Sequence, residues 1–535
     1  MIFGGRGADK IRGRRGDDLL CSGRGNDVVR GGRGEDLLRG GRGDEVLRGA
    51  GANDNLIDTR GKNGIDCGPG KHDVAITNKK SKVRNCEKVR RRQPAPRRTA
   101  GWTPPQSITP RGEAGIVPDL SLNRDGRAVA VWYREAANGE LTMRGAIRRP
   151  GHGFGPPATI GQADQTSGNN PPSVPEVAIS RSGDAIAVWL RKDDQGNLRV
   201  VSSFRPAGGE FGPVETLSNP GASAFDPQVA FAPSGRAIAV WARLVSPGQT
   251  QVNVAVRPPG QPFFGDPDPV SAAPLNSQFP QVGIGGGRAV IVWLASPPLG
   301  GNHVVQGSRL TRAGHVQPLQ TVSEADRDAD RPQLAVQRRT GEAVVAWTSF
   351  DSAGDLASEE NELAFAPEGQ LFRAPHQVPE ETGLVGLLPR PGFDGSGRAT
   401  LLFRNTLPAA EPGDDHMRTA VTRDGSNFAF KQTLASATGT SLDFFVEPSL
   451  SVAGSGGAAA VWVRGHTVRA GDIQAAVRAV GERRFGNTKT LTASRVGGES
   501  PSVAASDRIA IAVWARARGN ETTGVVTSRY RGFSP

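Results

Sequence analysis

Eight consecutive nine-residue units open this chain, and their period constrains the fold more than any other feature. Cut from Gly4, they read GGRGADKIR, GRRGDDLLC, SGRGNDVVR, GGRGEDLLR, GGRGDEVLR, GAGANDNLI, DTRGKNGID and CGPGKHDVA. The eighth place is always aliphatic: Ile11, Leu20, Val29, Leu38, Leu47, Leu56, Ile65 and Val74. The sixth place is Asp9, Asp18, Asp27, Asp36, Glu45 and Asp54, then Asn63 and His72. Glycine dominates places one, two and four, supplying the positive φ angles of a tight turn and letting carbonyls approach an ion. The short strand that follows points its single aliphatic side chain inward. One such residue in nine cannot bury enough area to offset backbone ordering, so the segment needs a further source of stability.

The pattern G-G-x-G-x-D-x-U-x resembles the hemolysin-type (RTX) calcium-binding repeats over roughly residues 4–90. The resemblance implies a parallel β-roll in which residues 18 apart stack on neighbouring coils, one strand spacing of about 4.8 Å apart. It then pairs Asp9 with Asp27, Asp18 with Asp36, Asp27 with Glu45, and Asp36 with Asp54. Calcium would lie between the carboxylates, with turn carbonyls completing an all-oxygen shell. The metal ligands implied are Asp9, Asp18, Asp27, Asp36, Glu45 and Asp54, and the array should order as it binds the ion. Glu45 is one methylene too long for an Asp slot, and Asn63 and His72 lack the charge. Arg6, Arg15, Arg24, Arg33, Arg42 and Arg60 fill place three and set cations beside these sites. The affinity expected is therefore weak, about 10⁻⁴ to 10⁻³ M. The alternative is a disordered basic arm that binds polyanions, but such an arm has no need of an aliphatic residue at every ninth place.

Residues 67–86 resemble the end cap that follows such arrays in actinobacterial secreted proteins, with Asp73 standing in for His72 by a one-residue shift. Cys67 and Cys86 bracket this segment and are candidates for a disulfide worth about 3 kcal/mol in the chain-entropy model. Cys21 is left over: either its partner lies upstream of Met1 or it is a small buried thiol. The run KVRRRQPAPRRT then reads as an extended, solvated linker, with binding to an anionic surface as the sharper alternative. The boundaries expected are a β-roll over residues 1–92, a basic linker over 93–100 and a second domain over 101–535.

That second domain has a longer period. Trp132, Trp189, Trp241, Trp293, Trp347, Trp462 and Trp514 each end a segment such as GRAVAVW, with Phe403 filling the one gap, at spacings of 52 to 59 residues. A run such as PEVAIS or PQVAFA precedes each, and two further strands follow. Four-stranded repeats of this length match β-propeller blades. The count is eight if residues 101–109, with Trp102 where Phe154, Phe211 and Phe264 sit elsewhere, complete the last blade. The runner-up is a seven-bladed ring with residues 380–440 outside it. The repeated Trp reads as blade packing. Arg134, Arg191, Arg243, Arg464 and Arg516, two residues on, read as cation–π caps or as a basic ring gripping an anionic glycan.

The whole chain is therefore all-β. Its net charge of +12 is concentrated in residues 1–99, which hold 24 Lys and Arg against 13 Asp and Glu. No apolar run is long enough for a membrane-spanning helix. The sequence opens inside the first repeat, which predicts upstream sequence, and an export signal, if there is one, would lie in it. No H-E-x-x-H, G-x-S-x-G or phosphate loop is present, and the only tyrosines are Tyr133 and Tyr530. Residues 422–428, TRDGSNF, are a faint and shortened match to a sialidase Asp box. The reading is a secreted or cell-surface calcium-binding protein whose propeller is a binding or scaffold module for a protein or surface glycan. A glycan-processing hydrolase, argued from fold analogy alone, is the alternative; no specific nucleic-acid partner is expected.

Overall fold

In the computed structural model the described residues are 2–41, 43–58, 61–91, 100–164, 174–272, 274–297, 300–351, 358–378, 385–407, 415–437, 444–465, 471–492, 496–518, 521–531 and 533. Arg42, Arg60 and nearly all of the basic linker lie outside them. The chain divides into two compact units, Met1–Thr99 and Ala100–Pro535. Every described element is β, apart from turns and an isolated 3₁₀ residue.

The first unit is a parallel β-solenoid of two sheets. Ile2–Arg6, Leu19–Arg24, Leu37–Arg39, Asn55–Asp58, Val74–Thr77 and Lys88–Arg91 form one sheet in that order. Lys10–Arg15, Val28–Arg33, Val46–Gly51, Gly64–Asp66 and Lys82–Arg84 form the other. Consecutive units thus alternate between sheets, and the register between neighbours is 18 residues: Ile11 opposes Val29, Leu20 opposes Leu38, Leu47 opposes Ile65. The eighth-place residues Ile11, Leu20, Val29, Leu38, Leu47, Leu56 and Ile65 line up in one narrow core between the sheets. The last unit departs from the period. Asn55 pairs with Val74, a step of 19, so Ala75 and not Val74 takes the core place. A disulfide joins Cys67 to Cys86.

The second unit is built of antiparallel meanders. Ala114–Leu122, Ala128–Glu135, Leu141–Arg148 and Ala158–Ala163 make the first four-stranded sheet, and five more of the same order follow. A nine-stranded sheet ends the chain; in it Gly101–Trp102 and Gln106–Ser107 pair with the C-terminal strand Glu521–Arg531. Each second strand is apolar over most of its length because both of its faces are covered there. In Ala185–Lys192, Ala185, Ala187 and Trp189 pack on the first sheet, and Ile186, Val188 and Leu190 pack on the third. The first sheet in turn packs on the last through Trp132, Ile511 and Val513. This face-to-face succession is a propeller-like arrangement.

Seven of the first strands, all but Glu176–Ile179 of the second sheet, carry the other recurring device. Val117, Asp226, Phe279, Arg331, Leu388, Glu447 and Ser500 all have φ between 37° and 53°, and each precedes a proline. The register of that strand shifts at the same place, as between Ile116 and Asp119 or between Phe225 and Gln228. The bulge bends the strand and ends its pairing locally.

The seven repeated tryptophans and Phe403 are at most 1% exposed. Truncating Trp241 to Ala should therefore cost about 3–5 kcal/mol by chemical denaturation. Leu371→Ala, at a side chain 65% exposed, should change stability by less than about 0.5 kcal/mol.

Candidate metal centre

The sixth-place acids sit where the turn enters each short strand, and the period of the solenoid stacks them. The backbone N–H of Asp9 donates to Asp27 Oδ1 at 2.8 Å, that of Asp18 to Asp36 Oδ1 at 2.8 Å, and that of Asp36 to Asp54 Oδ1 at 2.9 Å. Asp54 N–H continues the ladder to Asp73 Oδ1 at 2.6 Å, and Glu45 N–H donates to Asn63 Oδ1 at 3.1 Å. One oxygen of each aspartate in this ladder from Asp27 onward is thus committed to the N–H of the preceding coil. The other is buried without a hydrogen-bond partner in Asp9, Asp18, Asp27, Asp36, Asp54 and Asp73. A buried acceptor left unpaired is costly, and here the cost recurs at every coil.

What these oxygens face explains the glycine at place one. A Cβ added to Gly13 would lie 2.5 Å from Asp18 Oδ2 and 2.7 Å from the Gly31 carbonyl. The same construction at Gly4 meets Asp9 Oδ2 and the Ser22 carbonyl, at Gly31 Asp36 Oδ2 and the Gly49 carbonyl, and at Gly49 Asp54 Oδ2 and the Cys67 carbonyl. Each space is therefore lined by one carboxylate oxygen and a main-chain carbonyl of the next coil, and any side chain would fill it. Among the described residues no group of three or more His, Cys, Asp or Glu is placed to hold a metal ion. The donor set is all oxygen and partly main chain, which suits a hard cation such as calcium and fits poorly the softer, side-chain-bound metals.

Glu45 breaks the pattern as its length suggests. Neither of its carboxylate oxygens takes up the N–H ladder. Its neighbour is instead Asp58, which replaces the place-one glycine of its own unit, and whose carboxylate would collide with a Cβ on Gly40. Burial first, then the Asp58 carboxylate beside it, push Glu45 up to about 9. Burial raises Asp54 to about 7, with Asp36 and Asp73 adding repulsion, and raises Asp36 and Asp73 above the ordinary carboxylate range. A stack of carboxylates without a cation holds protons in its place.

The sequence reading paired Asp27 with Glu45, and the structure places them on adjacent coils without a hydrogen bond between their side chain and backbone. His72 is exposed, its N–H donating to Asn53 Oδ1 at 3.1 Å, and Asp73 occupies the buried position. Two features were missed. Asp58 gave no signal beyond an acid at a glycine place. A second, exposed ladder at place five joins Asp17 to the Glu35 N–H at 2.8 Å, Asn26 to the Asp44 N–H at 2.9 Å, and Asp44 to the Lys62 N–H at 2.8 Å. Its signal was the run of Asp, Asn and Glu before the sixth place. Of the arginines of place three, Arg15 and Arg33 are exposed and Arg24 half-buried, while Arg42 and Arg60 lie outside the described residues.

The residues considered for hydrolysis are not assembled. Tyr133 is fully buried between the first and second sheets, which raises its phenol, and Tyr530 packs edge-on against Trp102 at 5.6 Å. Asp424 spends Oδ1 on the N–H groups of Ser426 and Asn427 in its own turn. The arginines two residues after the tryptophans do not cap them either. Arg134 faces Glu113 at 3.8 Å, Arg516 donates to Thr523 Oγ1 at 3.0 Å, and the cation–π contacts among the described residues pair Arg257, Arg331 and Arg478 with phenylalanines.

Residues 1–29 and 22–56 match the model of the RTX calcium-binding nonapeptide repeat, in four copies. No curated protein matches the chain. Among solved structures, a lectin from Burkholderia pseudomallei is 12% identical, with 72% of this chain and 100% of that one covered and a TM-score of 0.44. The β-propeller domain of the Trilobed protease from Pyrococcus furiosus is 9% identical, covering 71% of this chain and 98% of its own at a TM-score of 0.40. An ulvan lyase is 10% identical over 72% of this chain and 94% of its own, at a TM-score of 0.42.

Proton occupancy gives the site a pH signature. Asp54 and Glu45 titrate higher in the folded solenoid than in an unfolded chain, so the folded form binds more protons between the two values. In a chelator, stability of the solenoid should be fully present near pH 4 and fall as pH rises through about 7 and then about 9. Far-ultraviolet melts of the chain at pH 5 and 8.5 check this. Saturating calcium should remove most of the difference, and a solenoid more stable at the higher pH in chelator would contradict the assignment.

Proposed function

We propose that the chain is an exported, calcium-dependent protein. Cations held by Asp9, Asp18, Asp27, Asp36, Glu45 and Asp54, with the turn carbonyls, order its N-terminal solenoid. The column of buried, unpartnered carboxylate oxygens facing carbonyls carries this reading. Asp58 joins the set through its place beside Glu45, and Asp73 extends it by one coil. A bound divalent ion turns each repulsive carboxylate level into an attractive one, and the free energy of binding becomes free energy of folding. The Cys67–Cys86 disulfide accords with an oxidising, extracellular setting, where calcium is abundant enough for weak sites.

The larger unit, residues 101–535 beyond a basic linker over 93–100, is on this reading an eight-bladed β-propeller that acts as a binding or scaffold module and not as an enzyme. Groups of four and five strands within the nine-stranded sheet, linked by the single pairing of Gly471 with Gly498, count as the seventh and eighth blades, with Gly101–Trp102 and Gln106–Ser107 as two pieces of one outer strand. The strand Gly101–Trp102 then closes the last one. Spending both tyrosines on packing favours the binding module over a sialidase-like hydrolase.

Hydrogen exchange over residues 1–91 of the full chain tests the calcium reading. Calcium at millimolar concentration should protect the strand amides, and chelator should release them. Asp18→Asn with Asp36→Asn should raise the calcium needed by roughly tenfold, the equivalent of about 1.4 kcal/mol. Equal protection in calcium and chelator, with no effect of the double substitution, would sink the reading.

A further inference from the structure

The larger unit contains two cavities, of about 770 Å³ and 640 Å³, at the ends of its innermost strands. They share Ser121, Arg124, Val336, Arg338 and Arg339, so they lie side by side. The smaller is lined by Arg124, Arg181, Arg338 and Arg339 and by no Asp or Glu. The larger adds Asp394 and Asp507, and both are already engaged. Asp394 holds Arg398 at 2.8 Å, while Asp507 faces Arg124 at 3.3 Å and accepts the Ser455 N–H at 2.9 Å. Arg181, Arg338 and Arg339 make no described ion pair, and among carboxylates only Asp507 acts on Arg338.

The cationic cluster is built by a local change in the repeat. In most sheets a five-residue turn joins the first strand to the second, closed by bonds such as Asn123 N–H to the Arg127 carbonyl and Ser180 N–H to the Asp184 carbonyl. The fifth repeat has six, Gln337 to Glu342, and inserts a second arginine. This longer turn lies across its neighbour: the Gly286 N–H donates to the Arg338 carbonyl at 3.2 Å. Only glycine permits that approach, since a Cβ at Gly285 would strike the Gln337 carbonyl and one at Gly286 the Thr340 carbonyl, where φ is +58°. The Arg338 side chain reaches water at the cavity wall, and the protein packed around it draws its guanidinium below its ordinary value.

We propose that this cavity binds a small organic polyanion carrying two or three carboxylate, sulfate or phosphate groups, held by Arg181, Arg338 and Arg339. Guanidinium forks take such oxyanions bidentately, and three of them with only the Asp507 carboxylate acting on one leave a charge that a ligand completes. Val177, Ile179, Phe231 and Ile284 supply an apolar wall for the body of the ligand, in a volume ordinary for small-molecule sites. The inference deepens the binding-module reading of the larger unit, rests on it, and is independent of calcium.

Calorimetric titration of the full chain with a glucose disulfate, fructose 1,6-bisphosphate and tricarballylate tests it, with sucrose as the neutral control. These arms distinguish the sulfate, phosphate and carboxylate sources. At least one anion should bind at millimolar concentration or below, weakening as salt rises, and sucrose should not. Arg181→Gln with Arg338→Gln should weaken binding by roughly tenfold or more, whereas Arg149→Gln, in an exposed turn elsewhere, should leave it unchanged. Should the double variant fail to fold, Arg339→Gln alone serves, with its thermal midpoint as the check on folding. No binding by any of the three anions, or equal losses in the Arg149 variant, would overturn the inference. Chemical conversion of a bound anion would uphold the cavity while overturning the reading of the unit as non-enzymatic.

Discussion

Buried carboxylates stacked at one strand spacing are the constraint from which the rest of the N-terminal unit follows. A carboxylate out of water needs a hydrogen bond or a countercharge for each oxygen. The solenoid supplies the first through the N–H of the preceding coil and leaves the second oxygen facing a carbonyl. That arrangement repels itself unless protons or a cation intervene, and the upward shifts at Glu45 and Asp54 are the proton version of the same demand. The glycine at place one, the strict period and the thin core are consequences. A side chain at place one would occupy the space between the oxygens, and a slip in period would move the carboxylates out of line.

The larger unit solves stability by the ordinary route. Its second strands are buried on both faces, and each buried Trp bridges one sheet to the next. A unit held by apolar area has no need of ions, whereas a solenoid with one core residue per nine has little else to rely on. The chain thus joins two segments whose stability should respond to different variables.

Much of this was legible in the sequence because both repeats are written in residue types with narrow physical roles. Period nine gave the strand register and the stacked acids from Asp9 to Asp54, and period 52 to 59 gave the buried Trp of each sheet. The length of Glu45 announced that it would miss the ladder. What escaped notice depends on contacts between places of different repeats. Asp58 matters because it falls opposite Glu45 on the next coil, and a one-residue insertion in the last turn sends Ala75 inward in place of Val74. The arginines that follow five of the tryptophans looked like a ring, yet Arg134 faces the Glu113 carboxylate, Arg516 the Thr523 hydroxyl and Arg243 the Pro220 carbonyl. The cationic lumen instead comes from a turn lengthened by one residue, which periodicity alone does not weigh.

Counting the ions is the most direct test of the central claim. Equilibrium dialysis of the full chain against one millimolar radioactive calcium at neutral pH should retain more than one ion per chain, with protons released as the ions enter. Retention at the level of a control protein without acidic repeats, and no proton release, would contradict the account.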